Sequence, residues 1–68
     1  MDSETWALEL VQRIKDCNPK IDQQMLEKIF AGRGPYVGDL NHAFYSGQSP
    51  ELTFERLMEK YGKSFIGL

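Results

Sequence analysis

Apolar residues recur along this chain at three- and four-residue intervals, and stretches bearing Pro or Gly interrupt the recurrence. On a helical wheel of about 100° per residue, Trp6, Ala7, Leu10, Val11, Ile14 and Cys17 share one face of a first segment. That segment is predicted from Ser3 to Asp16, with Asp2 or Ser3 as its N-cap, and Leu8 points away from its core face. "NPK" at 18–20 ends it, because a residue before proline disfavours the α region. A second helix is expected to start at the N-cap Asp22, with Ile21 stapling on Leu26 and a buried stripe of Met25, Leu26, Ile29 and Phe30. Gly32 or Gly34 is expected to supply its left-handed cap.

Pro35 is predicted to open a third helix that runs to about Ser46. Its inner face is Tyr36, Val37, Leu40, Ala43 and Phe44, while Tyr45 lies on its outer side. Gly38 suggests either tolerated flexibility or a close backbone approach. Gly47 closes this helix, Ser49 caps the next and Pro50 is its first residue. Phe54, Leu57, Met58 and Tyr61 then repeat at i, i+3, i+4 and i+7 until Gly62. The apolar tail "KSFIGL" is expected to fold back on the bundle. No alternating strand pattern or internal repeat is present. The fold class is therefore all-α: one domain over residues 1–68, a compact bundle of four short helices joined by tight Gly/Pro turns.

Size and composition narrow what such a bundle can do. A chain of 68 residues buries only about 60% of its unfolded surface, so its stability is marginal without a staple or a partner. One cysteine forbids an internal disulfide, and one histidine with one cysteine cannot make a structural zinc site. No metal and no cofactor are expected. The lone Cys17, the acidic "MDSETWALEL" start and the lack of an apolar run of about 18 residues point to a cytoplasmic protein with no membrane contact. A net charge of −2 and a pI near 5.2 argue against an electrostatic grip on nucleic acid or anionic lipid.

Catalytic chemistry finds little footing. Asp39 and His42 form half of a carboxylate–histidine metal pattern whose other half is missing. Cys17, on the core face, reads as a small hydrophobe, not a nucleophile. "GRG" at 32–34 matches no phosphate-binding fingerprint and serves as helix punctuation. The chain is read as no enzyme.

Two binding readings remain. "QQMLEKIFAGRGPYVGDLNHAFYSGQSP" resembles the helix-turn-helix modules of phage repressors, which implies a DNA-binding transcriptional regulator, dimeric in form. It departs from them where Glu27 follows Leu26, a place that family gives to alanine, and where Pro35 interrupts a lengthened turn. From Gly34 to Glu55 there is also no lysine or arginine, against Asp39, Glu51 and Glu55. Phosphate contacts come chiefly from those cations, so direct nucleic-acid binding is not expected.

The acidic row of the fourth helix carries the alternative. Glu51, Glu55 and Glu59 stand at i, i+4 and i+8, and each such like-charge pair destabilises a helix by roughly 0.2–0.5 kcal/mol. Arg56, Lys60 and Lys63 lie further round and relieve the row only in part. With Leu52, Tyr45 and Asp39, the row is the candidate docking site for a protein partner with a basic surface, and Thr53 is taken as a neutral control position. Size, charge and the lack of catalytic groups fit a stoichiometric regulator or inhibitor, similar in character to small inhibitors encoded by phages and mobile elements. A homodimer is a second candidate assembly.

Overall fold

Side-chain caps start three of the four helices in the computed structural model, which describes residues 2–68. Asp2 accepts from the Thr5 N–H at 2.8 Å at the start of α1 (Ser3–Cys17). Asp22 accepts from the Met25 N–H at 2.8 Å at the start of α2 (Gln23–Ile29). Ser49 accepts from the Leu52 N–H at 3.1 Å at the start of α4 (Pro50–Tyr61), whose first residue is proline. Each satisfies an N–H that an α-helix leaves unpaired. α3 (Val37–Tyr45) has no side-chain cap. A 3₁₀ helix, Gly62–Ile66, follows α4, and among the described residues there is no strand. The fold is an all-α bundle of four short helices.

The start of α3 differs from expectation. Pro35 stays outside the helix, in a turn closed by the Val37 N–H on the Gly34 carbonyl at 3.4 Å. Tyr36, at φ −108° and ψ 2°, has the third-position geometry of a type I turn, and proline suits the second. Neither Gly32 nor Gly34 is left-handed, and Phe30 closes α2 instead. Gly34 answers a steric demand: a Cβ there would lie 2.7 Å from the Lys28 carbonyl oxygen. Gly38 meets no such approach, since the space around it is open.

α1 packs chiefly on α4, and α4 on the 3₁₀ helix that continues it. Two hydrogen bonds pin the pairing at its ends. The Trp6 indole N–H donates to the Gln48 carbonyl at 2.8 Å, just before α4, and the Asn18 amide donates to the Ile66 carbonyl at 2.7 Å. Leu10 and Ile14 lie fully buried between these pins. Gly62, at φ 66°, makes the turn that sends the tail back, since a side chain there would be strained. Phe65 then enters the core with no exposed surface, its ring edge-on to Tyr36 at 5.1 Å.

Three residues sit differently from their expected places. Cys17 is exposed, because the helix that covers α1 ends beside Asn18, and Asn18 is the residue that turns inward there. Met25 is exposed, at the edge where Gly67 packs on α2. Thr53 is buried to 1% exposure, donates to the Ser49 carbonyl at 2.8 Å and accepts from the Gln48 side-chain amide at 2.8 Å. It is no neutral control. Thr53→Ser keeps the hydroxyl and loses a packed methyl, so it is expected to cost about 1 kcal/mol. On a domain of this size that lowers the melting temperature by roughly 4–8 °C. Gln24→Ala, at an exposed position of α2, is the substitution expected to melt like the parent.

Candidate functional site

α4 buries Pro50, Thr53 and Leu57 and turns the opposite side outward. Glu51, Leu52, Glu55 and Glu59 all lie exposed on that side, Leu52 with 39% of its surface open. The burial pattern places these four on one strip: successive glutamates four residues apart advance about 40° around the helix, and Leu52 falls beside them. Its charge is barely compensated from within. Arg13 of α1 reaches Glu51 at 3.6 Å, across two exposed side chains, a pairing worth little in water. Among the described residues neither Glu55 nor Glu59 has a cation within ion-pair distance.

The cations of the same helix are engaged elsewhere. Arg56 donates to the Gln48 side-chain oxygen at 3.1 Å, and Lys60 meets Asp39 of α3 at 3.0 Å. Both interactions lie on the flank away from the glutamates, so α4 has one negative edge and one edge that carries its cations. The spacing of the residues did not show this, because Gln48 and Asp39 lie outside α4.

Asp39 belongs to that second flank. It accepts from the Tyr61 hydroxyl in a short hydrogen bond and from the Lys60 ammonium, which makes it a tie between α3 and α4. The Tyr61 hydroxyl, and then the Lys60 ammonium, hold its carboxyl below the usual carboxylate range. The same contacts push Tyr61 and Lys60 up, chiefly through Asp39 as acceptor. A carboxyl lowered on folding adds stability that is complete above the ordinary carboxylate pKa and fades as pH falls through the folded value. Asp39→Asn is therefore expected to lose about 1 kcal/mol or less at neutral pH. Below about pH 4 its melting temperature should converge on the parent's. Parallel thermal melts from pH 7 to strongly acid solution test this; a constant gap at all pH values would remove the charge from the account.

Tyr45 is 81% exposed, its ring edge-on to Phe44 at 5.2 Å, and it lines a separate hollow with Ser3, Trp6 and Asn41. The six sequence-derived site residues thus divide. Four share the strip on α4, Asp39 is held between α3 and α4, and Tyr45 stands beside α1.

The helix-turn-helix outline fares less well in its geometry. Seven residues, 30–36, separate α2 from α3, where such a motif uses a turn of three or four. The outer side of α3 offers Asn41, His42 and Tyr45, and the cations that α4 brings beside it are the engaged Arg56 and Lys60. Gln48, a base-reading candidate by residue type, is instead bound to Trp6, Thr53 and Arg56. No group of three metal-binding side chains and no helix long and apolar enough to cross a membrane occur among the described residues. No protein-family model, curated protein or solved structure matches the chain.

Proposed function

We propose that this chain is a small non-enzymatic binding module, a stoichiometric regulator or inhibitor that docks the α4 strip on a basic surface of a partner protein. The observation that carries the reading is the strip itself: Glu55 and Glu59, with no cation within ion-pair distance among the described residues, lie beside the exposed Leu52. A row of like charges costs the helix stability, and the α4 cations Arg56 and Lys60 bond to Gln48 and Asp39 on the other flank. A basic partner would neutralise the row and cover the leucine, pairing a small apolar centre with a charged rim.

Affinity capture with two baits tests this. The parent chain and the double variant Glu55→Lys/Glu59→Lys are each used on nuclease-treated and untreated lysate of the source cell. A basic protein retained by the parent in both arms and lost by the variant supports the reading. Capture that vanishes with nuclease, or that survives the double reversal, contradicts it.

A further inference from the structure

We propose that the chain also self-associates, through the open face of α1, in a two-fold dimer whose two α1 helices run antiparallel. A groove of about 360 Å³ lies between α1 and α2, floored by Ala7, Leu8, Val11, Leu26 and Phe30. Leu8 keeps 60% of its surface exposed there, at the lip of the apolar floor. Of the α1 residues that line the groove, Glu4 stands at one end and Lys15 at the other. Neither has an internal ion-pair partner among the described residues.

The spacing along α1 names the occupant. Glu4, Leu8, Val11 and Lys15 follow one another at intervals of four, three and four, which sets them in a nearly straight seam, the pattern by which helices pair side by side. A two-fold axis through the midpoint between Glu9 and Leu10 carries this seam onto itself. Each copy's Glu4 then meets Lys15 of the other, and each Leu8 meets Val11. Such a face is self-complementary, as a two-fold interface must be. A parallel pairing would set Glu4 against Glu4 and Lys15 against Lys15, so the charges select the antiparallel sense. The seam spans about 16 Å at 1.5 Å per residue, a small interface, so the dimer is weak and concentration-dependent. Glu51, Leu52, Glu55 and Glu59 do not line the groove, and the dimer leaves the α4 strip open on both copies. The inference is independent of what that strip binds.

Sedimentation equilibrium up to about 1 mM chain tests it. The parent is expected to dimerise, and Glu4→Lys or Lys15→Glu alone to raise the dissociation constant about tenfold or more, because each sets like charges face to face. The double variant Glu4→Lys/Lys15→Glu exchanges the two ends and is expected to dimerise like the parent. A mixture of the two single variants is expected to form a heterodimer tighter than either alone. Helix-dipole losses from the single reversals could not produce that rescue, and circular dichroism of each variant confirms its fold. A parent that stays monomeric throughout the range, single reversals without effect, or a mixture that does not associate would each overturn the proposal.

Discussion

Phe65→Ala is expected to cost about 3–5 kcal/mol, which for a chain of this length is most or all of its stability. The ring has no exposed surface, stands edge-on to Tyr36 at 5.1 Å and lies 6.2 Å from Phe54. Its removal opens a cavity where α4 and the 3₁₀ helix meet α1, and little around it can collapse. The pin from Asn18 to the Ile66 carbonyl sits one residue away and is expected to loosen with it. A thermal melt by circular dichroism, with Trp6 fluorescence shifted to the red by exposure, reads the effect. Leu68→Ala, at a 65% exposed neighbour in the same tail, is expected to change almost nothing. If both variants melt like the parent, the tail is not part of the core.

Glu55→Lys/Glu59→Lys is expected to slow association with a basic partner by tenfold or more, while the melting temperature holds or rises slightly. Charge complementarity acts mainly on the encounter rate, which steering can lift by orders of magnitude above the neutral range. The double reversal turns a local charge of −2 into +2 on exposed positions that touch no core residue through an ion pair. Inside the helix, the pair at positions 51 and 55 becomes attractive while the pair at 55 and 59 stays like-charged, so one of the row's two repulsions is removed. Function and stability should therefore move apart, the signature of a binding edge and not of a structural one.

How much of this was legible from the residues depends on whether the signal was local. Asp2, Asp22, Ser49, Pro50 and Gly62 mark helix ends through bonds made within a few residues, and the chain obeys them. Leu10, Ile14, Leu26, Ile29, Leu40 and Leu57 follow the periodicity into the core. A wheel cannot tell which turn of a helix another helix covers. For that reason Cys17, at a core angle on α1, lies in the open, whereas Asn18 is buried by a carbonyl 48 residues away. Thr53 was readable in principle: it precedes Leu57 by one turn and so shares its inward side, with Gln48 close by to satisfy its hydroxyl. The glutamate row was plain in its spacing. Its isolation was not, because the ties of Arg56 to Gln48 and Lys60 to Asp39 cross between elements.

Docking of the α4 strip on protein through charge is tested by the association rate constant measured against ionic strength. The captured partner, freed of nucleic acid, is immobilised and exposed to the parent and to Glu55→Lys/Glu59→Lys at about 50 mM and about 200 mM salt, with Gln24→Ala as control. The parent is expected to show a fast on-rate that falls steeply with salt, the double variant a slow and nearly salt-independent one, and the control to match the parent. Equal on-rates for the parent and the folded double variant at low salt would contradict it.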